Sequence, residues 1–179
     1  VSSDPADRRA LELVIRLVPG GLCTTWCFQH LKPGDAVRLN GPYGDFRLSS
    51  TEAPILFIAG GSGMAPIKCI LHHMRNAGIR RPATFFFGAN AVRELFYTDL
   101  MRQFEKDLPG FRYRPVVSRP ETAWDGDTGL VTQAVARHVP DASGHEAYLC
   151  GSPGMIDASI AVLVERGMPR NRIYYDKFA

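Results

Sequence analysis

Residues 54–66 read PILFIAGGSGMAP. An unbroken apolar run ends in a glycine cluster, and Pro66 follows three residues after Gly63. An apolar run without alternation is the pattern of a strand buried on both faces, the environment of a parallel sheet. Glycines let the backbone approach a ligand, and a helix start offers free N–H groups and a positive dipole end to an anion. Pro66 suits a first helical turn, where its φ is preset and no N–H is needed. The stretch therefore predicts strand, turn and helix. By itself it fits either a nucleotide-phosphate site or a tight strand–helix turn. It departs from the common dinucleotide fingerprint, because Pro66 holds the third-glycine slot and no acidic residue stands about twenty positions on. It is not a P-loop either, since no Lys follows Gly63.

Outward from this loop, strand and helix patterns alternate to the end of the chain. The apolar runs ATFFFGA, FRYRPVVS, EAYLC and IYYDKF read as further strands. Residues 65–78, 93–107, 129–138 and 153–166 read as helices. With the first run this predicts an α/β domain over residues 51–179: a five-stranded parallel nucleotide-binding sheet with helices on both faces. WDGDTG, with Asp125 and Asp127, reads as a turn. Before the loop the rhythm differs. Residues 11–18 (LELVIRLV) and AVRLN read as strands, a short helix runs through Trp26, and KPGD and GPYGDF read as turns. Residues 1–50 are too few for a closed barrel, so they are expected to form part of an antiparallel β-barrel.

Composition narrows the function. The 179 residues are 45% hydrophobic and 22% charged, as in an ordinary globular protein. A net charge of +3 with no run of Lys and Arg argues against nucleic acid as a partner. No apolar stretch approaches the ~20 residues of a membrane span. Cys23, Cys27, Cys69 and Cys150 are scattered, so a reducing compartment is expected and a disulfide scaffold is not. Cys23 and Cys27 stand four apart without a second ligand pair, and read as small core residues. No metal site is expected. His72 and His73 are adjacent on a helix, about 100° apart, and make poor joint ligands.

GPYGDF, AGGSGMAP, FFGAN, YLCGSPGM and a terminal DKFA occur in that order. Together they resemble the ferredoxin–NADP⁺ reductase-like flavoprotein superfamily, with VRELFY similar to the F subunit of Na⁺-translocating NADH:quinone oxidoreductases. EAYLCGSPGMIDASI is similar to reductase components of bacterial multicomponent oxygenases. The resemblance spans essentially the whole chain. It implies an FAD-dependent NAD(P)H:acceptor oxidoreductase that passes single electrons to a [2Fe–2S] centre outside this chain. The partner is then a ferredoxin domain or an oxygenase or quinone-reductase complex. It implies a cytoplasmic protein, with membrane association only through an upstream segment or a complex. The family's Arg-x-Tyr-Ser/Thr flavin motif lies, in relatives, just upstream of a segment similar to VSSDP, so residues 1–50 are expected to be a partial FAD domain. The alternative is a nucleotide-binding lobe without activity by itself. A methyltransferase-like enzyme would need an acidic ribose ligand where Asn90 stands.

The resemblance also implies roles. Gly21, Cys23 and Thr24 would open a helix under the FAD pyrophosphate. From spacing alone, Thr24 fits a helix cap equally well. Gly60, Gly61, Ser62, Gly63, Met64 and Pro66 would contact the NAD(P)H pyrophosphate. Asn90 and Arg93 would recognise the adenosine ribose. A lone Arg93 followed by Glu94 favours NADH over NADPH. Cys150 would sit beside the nicotinamide, Gly151 and Met155 against the dinucleotide, and Asp176 and Phe178 by the flavin, with Phe178 as its aromatic cover.

Overall fold

The computed structural model describes residues 1–41 and 43–177. Phe178 therefore lies outside the described residues. Helix α1 spans Leu22–Gln29. From Pro54 onward strands and helices alternate: β1 (Ile55–Gly60), α2 (Met64–Asn76), β2 (Ala83–Ala89), α3 (Thr98–Asp107), β3 (Phe111–Val117), β4 (Asp127–Thr128), α4 (Val131–His138), β5 (Glu146–Gly151), α5 (Pro153–Glu165) and β6 (Ile173–Lys177).

The sheet has six strands rather than the five expected, ordered β4, β3, β2, β1, β5, β6, and every neighbouring pair is parallel. The added strand is β4, inside the stretch expected to be only a turn. Its two residues pair with Val116 and Val117. Asp127 is held there from α4, by Arg137 Nη2 at 3.0 Å and His138 Nε2 at 2.9 Å. The Trp124 indole N–H donates to the Asp127 carbonyl at 3.0 Å.

Alternate residues of each strand face opposite sides of a sheet, and both sides are covered here. Ile55, Phe57, Phe85 and Tyr148 pack beneath α2 and α3, through Ile67, Leu71, Met101 and Phe104. Leu56, Ile58, Phe86 and Leu149 pack on α4 and α5, through Val135, Ile156 and Leu163. Helix α3 begins at Thr98, later than the pattern from residue 93 predicts. Glu94 turns back to accept the Asn90 N–H at 3.0 Å, and Tyr97 adopts φ 56°. Residues 92–94 form only a short 3₁₀ turn, and a helix cannot continue through the left-handed backbone at Tyr97.

Residues 11–18 and 36–40 do not form the expected strands: among the described residues no ladder precedes β1. A ladder requires a partner strand in register, and this segment has only isolated contacts such as Ser2 N–H to the Glu12 carbonyl, 2.8 Å. Leu11, Leu13, Ile15 and Leu17 are correspondingly exposed.

The connection into β1 is anchored at the amino end of the sheet. Arg81 and Glu146 form a buried ion pair at 2.8 Å. Arg81 Nε also donates to the Ala53 carbonyl at 2.8 Å, and Ser49 and Thr51 hydroxyls donate to Glu146 at 2.6 and 2.7 Å. Burial alone would raise the Glu146 carboxyl, but the Ser49, Arg81 and Thr51 hydrogen bonds outweigh it and hold it below the usual range.

Candidate functional site

The buried run of β1 ends at the glycine loop. Gly61 takes φ +55°, in open space except for Arg16 Nη1, which lies 3.5 Å from where a Cβ would stand. Gly63 is needed for a different reason: its Cα packs against the end of β5. Pro66 lies in the first turn of α2, which carries no acidic residue and no side-chain cap. Met64 and Gly63 are buried. They shape the loop, while Gly60, Gly61 and Ser62 face outward into a cleft.

That cleft, about 760 Å³, opens at the carboxyl ends of the strands. Open α/β sheets present ligands there. Ser152, Gly154 and Met155 at the start of α5 form one wall, and Leu130 and Thr132 at the start of α4 another. Neither helix has an acidic residue in its first turn. Three helix starts thus bring positive dipole ends to one cavity, an arrangement suited to a phosphate-bearing ligand. A Cβ on Gly151 would press on the Met155 methyl at 2.7 Å, so Met155 fills the space that Gly151 leaves.

Asn90 lines the far end of the cleft with Glu94 and Ser118. The Ser118 hydroxyl reaches Asn90 Oδ1 at 3.5 Å. Arg93 points elsewhere: it is largely exposed and ion-paired to Glu121. Glu94 thus brings a carboxylate to the cleft from the short turn after β2.

Cys150 and Asp176 do not line this cleft. Cys150 is fully buried, and burial, reinforced by Asp176, pushes its thiol up to about 12. It is a neutral packing group at the end of β5. Asp176 is exposed and paired with it across the β5–β6 ladder.

Gly21 is the N-cap of α1, whose first turn also lacks acidic residues. A Cβ on Gly21 would come within 2.9 Å of Thr24 Oγ1. The Thr24 hydroxyl is engaged locally: it accepts the Val18 N–H at 3.1 Å and donates to the Val18 carbonyl at 3.3 Å. Thr24 is thus not the helix cap: Gly21 holds that position without a side-chain cap, and the Thr24 bonds tie the start of α1 back to Val18. The bare helix start at Gly21 fits a pyrophosphate. Cys23 is exposed and Cys27 half-buried on a helix with no buried residue, so neither is the core residue expected. No group of three or more metal-ligating side chains gathers among the described residues. No helix among them is long and apolar enough to cross a membrane.

Sequence reasoning missed Arg16, Ser118 and Thr132 as cleft residues, and used Glu94 only as a sign of NADH preference without naming it as a site residue. The available signal for Arg16 was its place in LELVIRLV, a lone cation on the same alternating face as Glu12 and Val14.

Residues 57–160 match the oxidoreductase NAD-binding domain family and residues 1–48 the oxidoreductase FAD-binding domain family. The chain is 35% identical over 184 residues to the propane 2-monooxygenase reductase component of Mycolicibacterium goodii, covering 99% of this chain and 53% of that protein. It is 37% identical over 182 residues to the phenol hydroxylase P5 protein of Acinetobacter pittii, covering 99% and 52%. The chain thus spans about half the length of these curated relatives. Among solved structures it is similar to the Amycolatopsis cytochrome P450 reductase GcoB, with TM-score 0.85 and 32% identity over 92% of this chain and 50% of that one. It is also similar to the ferredoxin reductase in carbazole 1,9a-dioxygenase, with TM-score 0.77 and 27% identity over 92% and 50%.

Proposed function

The chain belongs to the ferredoxin reductase-like flavoprotein family, that of oxidoreductases with paired FAD- and NAD-binding domains, and from that membership we propose that it is the NADH-binding part of an oxygenase-type reductase. Residues 1–50 would be its partial FAD-binding unit and residues 51–179 its coenzyme unit. The observation that carries the reading is the cleft where Gly61, Ser62 and three helix starts converge under Arg16. There Gly61 and Ser62 would hold the coenzyme's pyrophosphate, with Arg16 neutralising it from above. Glu94 would accept the hydroxyls of the adenosine ribose and repel a 2′-phosphate, which supports NADH over NADPH. Asn90 would support the same sugar, and Gly151 and Met155 would flank the dinucleotide.

Gly21 at the start of α1 would receive the FAD pyrophosphate. FAD, when bound, supplies the conversion of a hydride into single electrons. The chain's own contribution is orientation and exclusion of water. Cys150, neutral and buried behind the cleft, would support the end of β5 from inside the sheet. Asp176 on β6 would flank the flavin, and the resemblance gives Phe178 the role of its aromatic cover. Relatives that are reductase components of oxygenases support a [2Fe–2S] domain or oxygenase complex as the electron acceptor. The four free cysteines accord with a reducing cytoplasm, and any membrane contact would belong to a partner or an upstream segment. A nucleotide-binding lobe without flavin chemistry is not favoured, because residues 1–48 match an FAD-binding family.

The test is anaerobic mixing of the FAD-loaded reductase with NADH or NADPH. Flavin absorbance should bleach with either donor, and faster with NADH. No bleaching with either overturns the reading.

A further inference from the structure

Helix α2 carries an unusual stripe. Lys68, His72 and Arg75 follow one another along one face at helical spacing, and Lys68 is only 4% exposed. A buried ammonium requires a partner. Lys68 Nζ donates to both carboxylate oxygens of Glu12, each at 2.7 Å. Further down the stripe, Asp4 receives Arg75 Nη2 at 3.3 Å and Asn76 Nδ2 at 2.6 Å. The segment before α1 is thereby laid along α2.

Tyr97 completes the upper contact. Its hydroxyl donates to the same Glu12 carboxylate, and Lys68 Nζ stands 4.4 Å from its ring centroid. Tyr97 is also the one non-glycine among the described residues with positive φ, at 56°. A bulky side chain takes that conformation only where its surroundings hold it there. One carboxylate thus joins three elements. Glu12 lies four residues before Arg16, Lys68 lies on the helix that follows the glycine loop, and Tyr97 ends the turn that carries Glu94.

We propose that Glu12, Lys68 and Tyr97 are positioning residues that fix the Arg16 segment, the helix after the glycine loop and the Glu94 turn relative to one another, and so set coenzyme affinity through Arg16 without touching the coenzyme. The proposal rests on the reading of the cleft as an NADH site. Removing the ammonium frees residues 11–18 to swing, and Arg16 then loses its place over Gly61.

The test uses the full chain, NADH as probe in titration calorimetry, and amide hydrogen exchange. Lys68→Met is expected to weaken NADH about tenfold, with Glu12→Gln acting in the same direction on a milder scale. Lys68→Arg is expected to retain most of the affinity. Arg16→Ala should weaken binding by itself, and Lys68→Met combined with Arg16→Ala should be no weaker than Arg16→Ala alone. Additive losses, or unchanged affinity in a Lys68→Met protein that is merely less stable, overturn the proposal. Exchange separates this from the functional reading. If wild type binds no NADH, the functional reading fails. The clamp is then judged by faster exchange at residues 11–18 and 92–97 in Glu12→Gln; unchanged exchange overturns it.

Discussion

The carbonyl oxygen of Cys150 stands 2.1 Å from the point a Cβ on Gly63 would occupy. The glycine loop and the end of β5 are therefore packed backbone against backbone, and the residue that caps α2 is located by contact with β5. Gly63→Ala must push the helix start off the strand. Overpacking of this kind costs about 1–3 kcal/mol, and the rigidity of both partners places this case at the upper end. Urea unfolding should show the loss, and NADH affinity should fall with it. Gly61→Ala, which meets only the flexible Arg16 side chain in ordinary contact at 3.5 Å, should cost only about 1–2 kcal/mol for its left-handed backbone.

Glu94 offers a coenzyme-selectivity switch. Its carboxylate lines the cleft and its only described hydrogen bond is from the Asn90 N–H. Glu94→Ser removes the charge that opposes a 2′-phosphate. NADPH affinity should rise about tenfold while NADH affinity falls, a change of about 1.4 kcal/mol for the tenfold part. Calorimetric titration with both coenzymes checks it.

Acid should loosen the clamp on α2. The Lys68 ammonium, then the Tyr97 hydroxyl, hold the Glu12 carboxyl down from 4.5 to about 2. A carboxyl depressed in the folded state contributes stability that is complete above its unfolded value and lost as pH falls through the folded one. Wild type should therefore lose stability relative to Glu12→Gln between pH 4.5 and about 2, with a constant difference above that window. Denaturant midpoints across the range measure it.

The four thiols should separate by exposure. Cys23 is exposed and should be alkylated first in the folded protein. Burial raises the Cys27 and Cys69 thiols, with Cys23 adding to the effect on Cys27, so both should lag. Cys150, pushed up to about 12, should react only in denaturant. Peptide mapping after timed alkylation reads the order, and early modification of Cys150 would show the end of β5 to be open.

Much of this was legible because apolar runs buried on both faces need no long-range information. PILFIA, ATFFFGA and EAYLC announce themselves as central strands, and the glycine loop announces the turn. What escaped depended on distant partners. β4 exists because Arg137 and His138 reach back to Asp127 from the next helix. Lys68 reads as an ordinary surface lysine until Glu12 is placed against it from 56 residues away. Arg16 became part of the cleft only through that same docking. The Tyr97 break in α3 is invisible to periodicity, since the amphipathic pattern runs on through it.

The buried Arg81–Glu146 pair holds the connecting segment at the amino end of the sheet, while the cleft lies at the carboxyl end. Five residue steps separate the two levels along β5, from Glu146 to Gly151, about 17 Å at the usual rise. Over such a lever a tilt of about 3° displaces the cleft wall by about 1 Å, enough to cost on the order of a hundredfold in a reaction that depends on alignment. The stiffness of the ion pair at the amino end of β5 thus limits how accurately the cleft wall at the end of β5 and the start of α5 is held, and tolerance at the site is set in part at the opposite end of the sheet.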